Sequence, residues 1–92
     1  MLKFSIHPGR ILREEFMAPM DLSAIALARH IDVPRTRIER LIREETAMTV
    51  DTAARLAAAF ETSAAFWMNL QTAFDLRMTQ PIKGIKPITV VA

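Results

Sequence analysis

Residues 23–43 read SAIALARHIDVPRTRIERLIR, and the fold turns on this stretch. Ser23 suits a helix N-cap, because its hydroxyl can accept a backbone N–H of the first turn. Leu22 and Leu27 then fall at the two positions of a hydrophobic staple, and Leu27, Ala28 and Ile31 repeat at helical spacing toward one side. The helix is expected to stop at His30, Ile31 and Asp32, since aspartate is one of the few residues other than glycine that accepts a left-handed turn. Pro34 opens the next helix at once. In PRTRIERLIR, Ile38, Leu41 and Ile42 share a face, and Arg35, Thr36, Arg37 and Arg40 lie largely outside it. The spacing thus predicts two short helices joined by a tight turn, with a small alanine where they cross and arginines on the outer side of the second. That is helix-turn-helix geometry.

Charge supports the same place. The chain carries a net +2, too little to imply a partner, but residues 34–43 hold four arginines against Glu39, a local +3. Arginine without lysine suits planar, forked recognition of phosphate or base edges, although a solvated helix face is the alternative reading. Residues 44–61 carry −3.

Outward from this pair, turn signals divide residues 8–78 into five short helical stretches. The first opens at Pro8, whose missing amide costs nothing there, buries Ile11, Leu12 and Phe16, and is expected to stop before Pro19. Thr49 caps the fourth, with Asp51 in its first turn and Ala53, Leu56, Ala57 and Phe60 behind it. Ser63 caps the fifth, where Phe66, Trp67, Leu70, Ala73, Phe74 and Met78 fall in one arc and Met68 and Leu76 fall outside it, as for a second burying partner. Residues 79–92 contain Pro81, Gly84 and Pro87 and end ITVVA, which reads as an extended tail with the composition of one short β-strand at its end. The expected organisation is an all-α domain over residues 1–78 and a tail over 79–92.

Composition agrees and excludes. Fourteen alanines, six methionines and two glycines in 92 residues favour helix, and the length fits one domain. No apolar run approaches the roughly 18 residues of a membrane span. The N-terminus has no secretory pattern, so the cytoplasm is the expected location. Without cysteine there is no disulfide, thiolate zinc site or cysteine nucleophile. Ser23 and His30 stand about 10.5 Å apart along a helix, too far to share a hydrogen bond. The adjacent pairs Glu14, Glu15 and Glu44, Glu45 diverge by about 100°. His7 reads as a helix-start residue and His30 as a charge near a helix end, and two isolated histidines make no metal site. No glycine-rich phosphate loop is possible with glycines only at 9 and 84. No catalytic residue, metal or cofactor is expected.

Four blocks carry a resemblance over His7 to Met78: HPGRILREEF at 7–16, the residues Leu22, Ser23, Leu27 and Ala28, TVDTAARLAAAF at 49–60, and TSAAFWMNLQTAFDL at 62–76. They resemble the HigA/VapI family of antitoxins, small helix-turn-helix repressors of the Xre (lambda repressor-like) class. The last block, with Phe66, Trp67, Asn69, Leu70 and Gln71 after a small-residue cap, is the most specific. The resemblance implies a five-helix lambda repressor-like fold and a homodimer that binds double-stranded operator DNA. It also implies a partner, a small ribonuclease toxin of the RelE-like HigB type that acts as co-repressor. Departures from the family pattern concern DNA: Ala24 replaces a glutamine that commonly touches the backbone, Asp32 replaces the usual turn glycine, and Arg43, Glu44, Glu45 replace an asparagine, glycine, lysine loop.

The expected groove-facing residues are therefore Arg35, Thr36, Arg37 and Arg40, with Arg43 and Ser23 at phosphates and Met68 and Leu76 at a dimer interface. The tail strand is expected to pair across the dyad, and the acidic segment 44–61 is one place where a basic toxin could meet the chain. Two other functions fit the same sequence: a stand-alone regulator without a toxin, and a protein-interaction module that has lost DNA binding, the latter suggested by Glu44 and Glu45.

Overall fold

A computed structural model describes residues 6–89. Among them the regular structure is all helical: α1 (Pro8–Ile11), continuing through a π-helical stretch (Leu12–Met17) and a 3₁₀ turn (Ala18–Met20), then α2 (Ala24–His30), α3 (Arg35–Ile42), α4 (Val50–Phe60) and α5 (Ala64–Met78). Four of the five α-helix starts carry a side-chain cap, whereas α3 follows Pro34 with none. Nδ1 of His7 accepts the Gly9 N–H at 2.9 Å ahead of Pro8, so His7 is a helix-start residue as its position implied. Ser23, Thr49 and Ser63 accept first-turn amides from Ala26, Thr52 and Phe66.

The first helical stretch corrects the sequence reading, because it does not stop before Pro19. The hydrogen-bond register widens and then tightens around the proline. The Ala18 N–H reaches back to the Arg13 carbonyl, Pro19 is asked for no donor, and the Asp21 N–H closes on Ala18 O at 3.0 Å. A proline breaks a helix chiefly by withholding an amide, and here the change of register removes the demand for it.

Helix ends follow from backbone chirality. Asp32 and Glu44 adopt positive φ (59° and 63°) just beyond α2 and α3. In each case two amides fold back on the last turn: Val33 N to Ala28 O at 3.0 Å, and Glu45 N to Arg40 O at 2.9 Å. At both turns, where the resemblance implies glycine, a residue with a side chain takes up the left-handed conformation.

Leu12, Leu27, Ile38, Leu41, Leu56 and Trp67 are fully enclosed at the centre, joined by Met17, Ala28, Ile31, Met48 and Ala53. Ala28 and Ile38 thus lie where helical spacing put them. The packing of α5 differs from the predicted arc. Trp67 is buried and Leu70, Ala73 and Phe74 are partly so, whereas Phe66 is 38% and Met78 57% exposed. Every residue from Asp75 to Met78 is exposed, so the arc loses its partner before the helix ends. Met68, expected on a free face, packs against the core of its own chain, while Leu76 stays 71% exposed. Residues 79–89 are extended and exposed with no strand; Val90, Val91 and Ala92 of the expected ITVVA strand lie outside the described residues. Among the described residues no helix is long and apolar enough to cross a membrane.

Candidate nucleic-acid interface

Ile38 and Leu41 anchor α3 inward, which turns Arg35, Thr36, Arg37 and Arg40 outward, all exposed. The α2–turn–α3 pair therefore has the predicted form, a buried seam under a cationic surface. Two further contacts hold α3 from beneath. Gly9 passes so close that a Cβ there would lie 1.8 Å from the Leu41 carbonyl oxygen. Arg13 donates from Nη1 to the Ile42 carbonyl at 2.6 Å, answering one of the orphan acceptors at the end of α3. Neither contact was visible in the sequence, because each joins residues about thirty positions apart.

The arginines are not equivalent. Arg35 sits 3.8 Å from Glu39 one turn on, a loose surface pair. Arg37 donates from Nη1 to Oδ2 of Asp51 at 2.5 Å, and Arg55 donates from Nε to the same oxygen at 3.0 Å. Arg55 also donates to the carbonyls of Ile31 and Asp32 at 2.8 and 3.4 Å, inside the helix-turn-helix turn. Among the described residues Arg40 and Arg43 take part in no ion pair. Ser23 is exposed, and its oxygen accepts the Ala26 amide, which leaves its O–H free to donate. Ala24 is partly buried against the core. A depression beside α3 is lined by Thr36, Arg37, Arg40, Thr46, Thr49 and Asp51, among others.

The loop after α3 is tethered from α5. The buried Gln71 accepts the Met48 N–H at 2.6 Å and donates to Asp75 at 2.9 Å. Trp67 Nε1 donates to Thr62 Oγ1 at 2.8 Å. The specificity of the Phe66 to Gln71 block thus has a mechanical content: it sets the α3–α4 loop and the α4–α5 turn. The arginine to watch was discoverable, since Asp51 and Arg55 stand at i, i+4 spacing. The Arg37 contact was not.

Electrostatics refine the charge reading. Hydrogen bonds from Arg37 and then Arg55 hold the Asp51 carboxyl below its ordinary value of 3.8. Hydrogen bonding from Arg10 does the same for Glu14. The −3 of residues 44–61 is not one patch: Asp51 is shared by two guanidinium groups, and Glu61 ends α4, about 16 Å along the helix axis from its start. Glu44 and Glu45 remain exposed just past α3.

With this geometry in view, comparison with known proteins is informative. The helix-turn-helix family matches residues 12–67. Virulence-associated protein I of Dichelobacter nodosus is 49% identical over 79 residues, covering 86% of this chain and 73% of that protein. The Pseudomonas aeruginosa antitoxin HigA, solved with the higBA promoter, superposes with a TM-score of 0.78 at 45% identity over 79% of each chain. The antitoxin GraA, solved in complex with its operator, gives a TM-score of 0.75 at 50% identity, covering 78% of this chain and 73% of that one.

Proposed function

The chain belongs to the Xre-type helix-turn-helix family of the HigA antitoxins, and from that membership we propose that it is a DNA-binding antitoxin that represses its own operon as a homodimer and neutralises a small ribonuclease toxin of the RelE-like HigB type. The observation that carries this reading is the α2–turn–α3 pair, with Ile38 and Leu41 locked inward and an arginine face outward. Relatives of this shape solved with promoter or operator DNA support it.

In this reading α3 enters the major groove. Arg40 and Arg35 reach base edges with Thr36, because arginine presents two parallel donors to the acceptors of guanine. Arg43 and the Ser23 hydroxyl meet phosphates and set the register. Two such surfaces related by a two-fold axis, about 34 Å apart, match successive major grooves of a palindrome. Leu76, exposed near the end of α5, is the residue proposed for that dimer contact, since Met68 is engaged by its own core. The toxin binds away from the arginine face, leaving DNA and toxin able to bind together.

The test has two arms. The chain is titrated with duplex from immediately upstream of its gene, and it is co-expressed with the neighbouring small open reading frame while growth and co-purification are scored. Sequence-preferring binding together with rescue from a toxic neighbour is the expected result. A harmless neighbour that does not co-purify overturns the antitoxin half and leaves a stand-alone repressor.

A further inference from the structure

Asp51 stands in the first turn of α4 and, among the described residues, makes the one ion pair that joins α4 to α3. Its Oδ2 accepts Arg37 Nη1 at 2.5 Å from the recognition helix and Arg55 Nε at 3.0 Å, and Arg55 is fastened in turn to the Ile31 carbonyl at 2.8 Å. The three side chains are between 39% and 56% exposed, and Arg37 and Asp51 lie at the edge of the depression beside α3. A phosphate approaching that edge must compete with a carboxylate for the same forked donors, since both anions suit a guanidinium in the same way.

We infer that Asp51 is a brake on sequence-independent DNA binding, withholding Arg37 from backbone phosphate. This rests on the DNA-binding reading of the α3 surface. Sequence-independent affinity comes from cations that neutralise phosphates and release condensed counterions. An arginine already answered by a carboxylate contributes little to that count until its pair is broken, whereas Arg40, in no ion pair among the described residues, contributes fully. Arg55 holds the carboxylate in place from the other side, which keeps it aimed at Arg37. Asp51 is thus a positioning residue, and its influence should be read in salt dependence rather than in fold.

The experiment titrates the full chain with two duplexes of equal length, one from upstream of its gene and one of scrambled sequence, at several salt concentrations. Asp51→Asn should bind the scrambled duplex several-fold to about tenfold more tightly, with the salt slope steeper by about one. Arg37→Ala alone should change scrambled-duplex affinity less than about twofold, yet in the Asp51→Asn background it should return affinity and slope to wild-type values, a non-additivity that simple charge removal lacks. Glu61→Gln makes the same charge change at the far end of α4 and should leave the slope unchanged. Asp51→Ser is the second variant should the asparagine disturb folding, serine being well accepted at a helix start. An Asp51→Asn protein that binds no more tightly than wild type, or a gain that survives loss of Arg37, overturns the inference while leaving the DNA-binding reading intact. Wild type that binds neither duplex overturns both.

Discussion

Among the four arginines, those with equal charge have unequal roles. Arg40 is exposed and takes part in no ion pair among the described residues. Arg40→Ala should therefore cost about 1–3 kcal/mol in operator binding if it reads a base, with specificity relaxed at one position, as measured by competition among operator variants. Glu44 carries a side chain at φ 63°, where an L-residue is strained, and places an anion at the end of α3. Glu44→Gly should stabilise the protein by up to about 1 kcal/mol, read as a higher urea midpoint, the relief of strain exceeding the entropy glycine gains when unfolded. Unchanged or lowered stability would contradict the account of that turn. The αL position of Asp32 was legible in the sequence, because aspartate accepts it; the αL position of Glu44 was not, because glutamate carries no such signal. Asp51 adds a pH dependence. Its folded carboxyl titrates below the ordinary value of 3.8, so the stability it contributes is present above that value and is lost as pH falls through the folded one. Thermal melts between neutral pH and about pH 3 should show that part of the acid decline absent in Asp51→Asn.

The helices themselves were read from caps and periodicity: Ser23, Thr49 and Ser63 all cap, and Ile38 and Leu41 are buried as spacing required. Three departures share a cause, which is that local pattern does not contain the neighbour. The helix passes Pro19 because the register changes around it. The α5 arc fails at Met78 because the packing partner ends, not the helix. The crossing of α1 over α3 depends on Gly9, whose missing side chain is required by a backbone oxygen rather than by a turn. Because that oxygen cannot rotate away, Gly9→Ala should destabilise the protein by about 3 kcal/mol, at the upper end of ordinary overpacking, in a urea titration. Operator binding by the remaining folded fraction should be unaltered. A neutral Gly9→Ala would show that α1 does not sit as described.

Across the whole molecule, exposed apolar residues stand singly at Met20, Ile25, Val50 and Phe66 but follow one another at the C-terminal end: Leu76 and Met78 on the last turns of α5, then Ile82, Ile85 and Ile88 along the extended tail. Such a cluster is an expected place for a second copy to bury, and a two-fold reader of DNA requires one. Leu76→Asp should shift the sedimentation of a dimer to that of a monomer while leaving the thermal melt of the domain near wild type; Met68→Asp should instead lower stability, since Met68 packs on the core. On the proposed function, the outer face of α3 reads operator DNA. The most direct measurement is fluorescence anisotropy of duplex from upstream of the gene, titrated with wild type and with an Arg35→Ala, Arg40→Ala double variant whose melt matches wild type. Wild type should prefer this duplex over scrambled DNA by at least about a thousandfold, and the double variant should lose most of that preference. A folded double variant with undiminished preference would contradict it.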